Sequence, residues 1–141
     1  MVERISDPEC IFCKIVHGVI PSVKIWEDEE HIAILDIKPT TEGMTLVIPK
    51  KHFDSNIFDM PRLEYKNYLL AAKKAAKFLE RGLRADRVFL VSEGLDINHA
   101  HIKLYPYFNN DSKFKNLGIK SGNETSSEDL DKVAKKILSN Q

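Results

Sequence analysis

The chain has 141 residues, of which 43% are hydrophobic and 30% are charged. This length and balance are typical of one globular domain and exclude a disordered or fibrous chain. Its 21 Lys and Arg residues are balanced by 21 Asp and Glu residues. Charge-driven binders of nucleic acid or anionic membranes need a basic excess, so we expect neither partner. No apolar run approaches the roughly 20 residues of a transmembrane helix, and a signal-peptide core is missing, which favours a cytoplasmic protein.

Short runs of β-branched and aromatic residues between turn residues predict five strands. These strands cover 23–26, 32–37, 44–48, 87–92 and 99–107. A short helix is predicted before them, over 11–17. Strands outnumber helices and mostly follow one another, so the pattern predicts an α+β domain with an antiparallel sheet.

The strongest helical pattern covers 61–81, where apolar residues recur at spacings of 4, 3, 4 and 3. Such spacings place them on one face of a helix. The face consists of Tyr65, Leu69, Ala72, Ala76 and Leu79. We predict Asp59 as the N-cap of this helix and Gly82 as its C-terminal end.

The composition changes near residue 118. Residues 118–127 are rich in Gly, Ser and Asn, which predicts a flexible linker. An amphipathic tail helix is predicted after it, with Leu130, Val133, Ile137 and Leu138 as its apolar side. We therefore expect a globular domain over 1–117 and a linker with a tail helix over 118–141.

Two histidines alternate in the last predicted strand. His99 and His101 would point to one face of the sheet, with Lys103 and Tyr105 continuing that face. Polar side chains of this kind are costly to bury without a purpose, so the face is expected to line a pocket. A neutral imidazole beside a lysine is suited to attack on the phosphorus of a phosphate group. The alternative is the hydrophilic outer face of an edge strand.

A second group of residues has the ligand types of a zinc site. Cys10 and Cys13 form a C-x-x-C motif, and His52 and His99 supply two imidazoles. Two buried reduced thiols with a surface histidine, or a thiol redox pair, remain as alternatives. The other histidines, His17 and His31, are expected at the surface and receive no role.

Three segments resemble the histidine triad (HIT) family of nucleotide hydrolases and transferases. They are CIFCKIVHGVIPSVKIWEDE, AILDIKPTTEGMTLVIPKKH and HAHIKLYP, in the family's order and spacing, within about residues 8–107. The resemblance implies a HIT domain over 1–117 with a five-stranded antiparallel sheet, one long helix and a short N-terminal helix. It also implies a homodimer that pairs through the long helix and a sheet edge.

The resemblance also implies roles for individual residues. His101 matches the family's nucleophile, which forms a nucleotidyl-histidine intermediate, and His99 matches the first triad histidine. Asp36 matches the residue that binds the ribose hydroxyls. The walls of the base pocket are matched by Phe12, Ile15, Ile20 and Ile37. In zinc-containing members the metal is structural, and its four ligands match Cys10, Cys13, His52 and His99.

The sequence departs from the family pattern at the third triad position, which is Lys103. A lysine retains phosphate contact but is a poor acid near neutral pH. The loop before the triad is also short, and Ser92 or Asn98 would have to contact the phosphate in place of the usual residues. The expected function is hydrolysis of a nucleoside phosphoramidate or a dinucleoside polyphosphate, with His101, Lys103 and His99 as the catalytic group. The alternative is a purine-nucleotide binding protein with little turnover.

Overall fold

The structure, a computed structural model, describes residues 7–109 and 122–141. Over these ranges the chain forms three α-helices, one short 3₁₀ helix and five strands. The helices are α1 (Ile11–Val16), α2 (Arg62–Leu83) and α3 (Ser127–Ser139), and the 3₁₀ helix is Ile57–Asp59. The strands are β1 (Lys24–Glu27), β2 (His31–Leu35), β3 (Thr45–Pro49), β4 (Arg87–Val91) and β5 (Ile102–Tyr107). This is the predicted α+β fold, and each predicted strand is present within a few residues of its expected bounds.

The five strands form one antiparallel sheet in the order β1-β2-β3-β5-β4. The central strand β3 pairs with β2 from Thr45 to Pro49 and with β5 from Thr45 to Val47. Because β5 is also paired with β4, Lys103 lies between Leu46 on one side and Val91 on the other. Lys103 therefore lies on an interior strand of the sheet and not on an edge strand.

The sheet buries both of its faces. Ala33, Val47 and Ile102 belong to a core cluster with α2, whereas Ile34 and Leu46 belong to a second cluster with α1. Successive side chains of a strand point to opposite faces, which assigns Lys103 to the α1 side because Ile102 and Leu104 face α2. All five residues of β3 are buried, as expected for a central strand covered on both faces.

Helix α2 differs from the prediction at both ends and in the centre of its buried face. The buried residues of the helix are Tyr68, Ala71, Ala72, Ala75 and Leu79. Three residues of the predicted face, Tyr65, Leu69 and Ala76, are only partly buried and pack beside them. Pro61 occupies the N-cap position without a side-chain hydrogen bond, and Asp59 lies in the preceding 3₁₀ helix. The helix continues through Gly82 and ends at Arg84, whose φ is 53°. The predictions for Asp59 and Gly82 were therefore wrong.

The last strand begins three residues later than predicted, at Ile102. The reason lies in the backbone bonds of the preceding residues. The Ala100 N–H donates to the Phe53 carbonyl at 2.9 Å, and the His99 N–H donates to the Ile97 carbonyl at 3.0 Å. These bonds tie 99–100 to neighbouring loops instead of to β3, so His99 and His101 precede the strand.

Helix α3 has the predicted amphipathic pattern, and none of its residues is buried. Its apolar residues Leu130, Val133 and Ile137 are each more than half exposed. The expected boundary between 117 and 118 and the start of the predicted linker lie outside the described residues. No helix in 7–109 or 122–141 combines the length and the apolar character needed to cross a membrane.

Candidate functional site

The four predicted metal ligands come from three parts of the chain and meet at one point. Cys10 is the N-cap of α1, and its Sγ accepts a hydrogen bond from the Cys13 N–H at 3.4 Å. His52 follows β3, and His99 precedes β5. Their four donor atoms all lie within 4.8 Å of one another. The motif spacing positions the first pair because Cys10 and Cys13 are separated by one helical turn.

Four distances between these donor atoms match those around a tetrahedral ion. The Sγ atoms of Cys10 and Cys13 lie 3.3 and 3.5 Å from His99 Nδ1. His52 Nδ1 lies 3.4 Å from Cys13 Sγ and 3.2 Å from His99 Nδ1. Bond lengths of about 2.0 Å to nitrogen and about 2.3 Å to sulfur give tetrahedral N···N and N···S separations of about 3.3 and 3.5 Å. The donor set therefore fits a zinc ion in both chemistry and spacing.

The hydrogen bonds of His99 keep a lone pair directed at this cluster. Its Nε2–H donates to the Pro49 carbonyl at 2.9 Å, so Nδ1 of the neutral ring carries no proton. Burial lowers the pKa of His99 to about 4, and the bond to Pro49 opposes that shift only in part. A neutral ring with a fixed tautomer is the form that ligates metals.

His101 is oriented by the backbone of His99. Its Nδ1–H donates to the His99 carbonyl at 2.7 Å, which leaves Nε2 unprotonated in the neutral ring. The Phe12 ring packs on it with a centroid separation of 5.0 Å, and the residue is 6% exposed. Among the described residues Nε2 has no hydrogen-bond partner, so its lone pair is not engaged by this part of the chain. His101 therefore has the properties of a nucleophile or general base.

Lys103 is paired with a residue that the sequence analysis missed. Its Nζ forms an ion pair with the Glu93 carboxylate, which lies two residues after the end of β4. This hydrogen bond to Glu93 raises the pKa of Lys103. The same bond lowers the pKa of Glu93, and His101 adds to that shift. Nothing in EGLDIN distinguishes Glu93 from other surface acids, so the sequence offered no signal for it.

The residues predicted to bind a nucleotide lie in different environments. Phe12 and Ile15 both belong to α1; Phe12 is buried, and Ile15 is partly buried against the same core cluster. Ile37 is 90% exposed, and Ile20 is half-buried. Asp36 follows β2 and is half-buried, with Oδ1 accepting the Lys38 N–H at 2.8 Å. Its charge contributes to the raised pKa of Lys103, so both belong to one electrostatic neighbourhood.

The short loop between β4 and β5 is hydrogen-bonded to residues 54–55. Asn98 accepts the Ser55 N–H at 2.9 Å and donates to Asp54 at 3.3 Å. Ser55 Oγ donates to the Gly94 carbonyl at 2.6 Å. The Asn98 amide is thus used to hold this loop, whereas Ser92 lies half-buried at its start.

The surface position expected for His31 was wrong. It is 4% exposed, stacks on Tyr68 with ring planes 7° apart, and its Nδ1–H donates to Asp28 at 3.0 Å. It also lines a cavity of about 750 Å³ together with Tyr68, Glu64 and Lys50. Its burial depends on Tyr68 of α2, which is distant in sequence, so the sequence offered no signal for it.

Comparison with known proteins agrees with this geometry. The HIT domain family profile matches residues 17–109. The chain belongs to the HIT domain family.

The relatives of this HIT protein include an enzyme and a zinc protein. It is similar to the adenosine 5′-monophosphoramidase of Saccharomyces cerevisiae, with 33% identity over 134 residues, 92% of this chain and 78% of that one. A crystal structure from Streptococcus mutans superposes with a TM-score of 0.81 at 34% identity and covers 96% of this chain and 87% of that one. A zinc-bound histidine triad family protein from Mycobacterium smegmatis has a TM-score of 0.67 at 28% identity, with coverage of 94% and 98%.

Proposed function

We propose that this HIT protein is a nucleotide hydrolase that cleaves a nucleoside phosphoramidate or a dinucleoside polyphosphate through a nucleotidyl-histidine intermediate. One observation carries the proposal. The His101 Nδ1–H is committed to the His99 carbonyl, so the lone pair of the neutral ring is on Nε2, and the alternation of side chains places His101 on the side of the sheet that holds Lys103. The similarity to the yeast monophosphoramidase supports the same chemistry.

In the proposed reaction the lone pair of His101 Nε2 attacks the α-phosphorus. A bond forms between Nε2 and phosphorus, and the bond from phosphorus to the leaving nitrogen or oxygen breaks. The leaving group departs with that electron pair and takes a proton from water, because His99 is buried with its Nε2–H committed to Pro49. Water then attacks the nucleotidyl-histidine, releases the nucleoside monophosphate and regenerates His101.

The other residues bind and orient the nucleotide in this proposal. Lys103, which we place at the third triad position, stabilises negative charge on the phosphoryl oxygens, with Ser92 or Asn98 as further donors. Asp36 accepts hydrogen bonds from the ribose hydroxyls. The base lies against the apolar side chains of Phe12, Ile15, Ile20 and Ile37.

We further propose that the cluster of Cys10, Cys13, His52 and His99 holds a structural zinc ion. All four coordination positions would be filled by the protein, which is the arrangement of structural sites. The zinc-bound relative supports this assignment. The ion would supply cross-linking energy between α1, the segment after β3 and the segment before β5.

The test is hydrolysis of adenosine 5′-phosphoramidate and of diadenosine tetraphosphate, followed by chromatography. AMP release that disappears in His101→Ala supports the proposal, and the preferred substrate identifies the class of leaving group. His17→Ala is the matched control, because His17 lies at the end of α1 and outside both groups of residues. No AMP release by a folded, nucleotide-binding wild type would overturn the hydrolase assignment.

The alternative is a purine-nucleotide binding protein with little turnover. The pairing of Lys103 with Glu93 favours it, because a lysine whose pKa is raised is a poor proton donor to a leaving group. The variant Lys103→His separates the two functions. A large gain in rate at unchanged nucleotide affinity favours the binding protein, whereas a similar or lower rate favours the hydrolase.

We also propose that the protein works as a homodimer that pairs through α2 and a sheet edge. The outward surface of α2 exposes Leu63 and Leu70, and the edge strand β4 exposes Leu90. Apolar side chains in these places are typical of an interface.

A further inference from the structure

The Glu93–Lys103 ion pair places a carboxylate beside the residue proposed to bind phosphate. The Glu93 side chain is 43% exposed and that of Lys103 is 20% exposed, so the carboxylate is the more accessible partner. It is ionised at neutral pH, since Lys103 and His101 both lower its pKa. Any phosphate that approaches Lys103 therefore meets a negative charge at the same time.

The position of Glu93 is fixed by the fold. Val91, the last residue of β4, is in register with Lys103, and Glu93 follows two residues later. The next residue, Gly94, has a φ of 63° and its carbonyl is bound by Ser55 Oγ. A Cβ at Gly94 would lie 2.6 to 2.8 Å from Ser55 atoms, so this loop packs closely on its neighbour. Glu93 is consequently held where it faces Lys103.

A fixed carboxylate has different effects on phosphates of different charge. A phosphate that still carries its leaving group has one negative charge, whereas a free nucleoside monophosphate has nearly two above its second pKa of about 6. The repulsion from a neighbouring carboxylate doubles with the second charge. Lys103 alone would favour the doubly charged group, and Glu93 opposes that preference.

We propose that Glu93 is a specificity-determining residue that favours singly charged over doubly charged phosphates at the Lys103 site. This inference rests on the proposed function, in which the substrate is singly charged at the α-phosphate and the product is doubly charged. Glu93 repels the doubly charged product with about twice the energy with which it repels the singly charged substrate, so it weakens product binding more. It acts on the charge of the ligand and takes no part in bond breaking.

The test compares two ligands by calorimetry at about pH 8, where AMP is doubly charged. The ligands are AMP and its methyl ester, which has one charge and a poor leaving group. In Glu93→Gln we expect AMP to bind about tenfold more tightly and the methyl ester, which has half the charge, about threefold more tightly. The glutamine carbonyl still accepts a hydrogen bond from Lys103, so the substitution removes the charge and keeps the contact.

Two further variants distinguish charge from structure. Glu93→Asp retains the charge and should retain the wild-type preference, while Glu124→Gln removes an exposed charge of the tail and should change neither affinity. Lys103→Met should weaken AMP binding because it leaves Glu93 unpaired. Adding Glu93→Gln to Lys103→Met should recover part of that loss.

The inference is overturned if both ligands bind the wild type and Glu93→Gln leaves their affinity ratio unchanged or weakens AMP binding. It is equally overturned if the double variant recovers no AMP affinity. Failure of both ligands to bind folded wild-type protein would instead remove the proposed function, and the inference with it.

Discussion

Tyr68 joins two strands at the place where they separate. Its hydroxyl donates to the Val47 carbonyl at 2.5 Å and accepts the Ile102 N–H at 2.8 Å. Val47 and Ile102 are the last paired residues of the β3–β5 ladder before the chain leaves toward His99. The hydroxyl thus satisfies two backbone groups at the point where the sheet opens to form the site.

We therefore expect Tyr68→Phe to destabilise the fold by about 2–4 kcal/mol, because two buried backbone groups lose their partner. Urea unfolding measures the change. Tyr65→Phe, at a half-buried tyrosine of the same helix, is the control and should cost under about 1 kcal/mol. Equal costs for the two variants would contradict the role of the Tyr68 hydroxyl.

The four-residue metal cluster leads to a second prediction at this scale. A bound zinc ion should make both thiols unreactive toward a thiol reagent until a chelator is added. Chelation should also lower the melting temperature by at least about 5 °C, since an ion that binds only the folded state stabilises it. Elemental analysis should find zinc in the wild type and in His17→Ala, and little in Cys13→Ser. Reactive thiols in the untreated protein would favour a redox pair.

At the scale of the secondary-structure elements, two residues at the end of α2 are of types that are unfavourable for the backbone conformations they adopt. Gly82 lies inside the helix, and an added Cβ there would meet no atom within 4 Å. Arg84 takes the left-handed conformation that closes the helix, its N–H bonded to the Glu80 carbonyl. Left-handed caps are usually glycine, because other residues have a steric cost there.

Gly82→Ala should therefore stabilise the protein by about 0.5–1 kcal/mol, through the lower entropy of the unfolded chain. Arg84→Gly should add about 0.5 kcal/mol by relieving the strained cap. Thermal unfolding of the single and double variants measures both effects. Arg84→Ala keeps the positive φ and serves as the control, with little change expected. A loss of stability in Gly82→Ala would show that the helix ends earlier than Arg84.

At the scale of the whole molecule, α3 is separate from the packed body. It has no buried residue, although Leu130, Val133 and Ile137 form an apolar stripe along it. Among residues 7–109 and 122–141, those in the two core clusters all lie between Cys10 and Leu104. We therefore expect the stability of the body to depend little on this helix, whereas the domain boundary predicted near residue 117 lies outside the described residues.

Deleting 122–141 should leave the free energy of unfolding of the body within about 0.5 kcal/mol of that of the full chain, because no residue of α3 is buried. A large drop in the free energy of unfolding after the deletion would contradict a body that folds without the tail.

The proposed homodimer predicts that sedimentation of the full chain gives twice the mass of one chain. Leu70→Glu on the exposed surface of α2 should then shift that mass toward the monomer.

Much of the fold could be predicted from the sequence because local patterns determine it. The alternation of β5 and the spacing in α2 depend on periodicity, which the sequence displays directly. The start of β5 was missed because the bonds of His99 and Ala100 to Ile97 and Phe53 depend on loops that meet only in the folded chain. The helix end was missed because Arg84, and not a glycine, takes the left-handed conformation.

The same limit applies to the site. The ligand types of the proposed metal cluster were evident from the sequence, although Cys10 and His99 are 89 positions apart. Glu93 and the burial of His31 were not evident, because each depends on a partner or neighbour across the fold. Asp28 and Tyr68 surround His31, and β5 brings Lys103 to Glu93.

His99 directs its imidazole to the metal cluster and Pro49, while its main-chain carbonyl holds the His101 proton. These two contacts belong to different parts of the same residue and are therefore genetically separable. Every substitution at position 99 keeps the carbonyl, so point mutation can remove the proposed metal ligand but never the acceptor of the His101 Nδ1 proton. The bond from His101 to this carbonyl would be weakened only by an ester linkage after residue 99, whose carbonyl is a poorer acceptor, or by a displaced backbone. An alanine scan of the triad would consequently assign position 99 to metal binding alone and miss its part in setting the tautomer of His101.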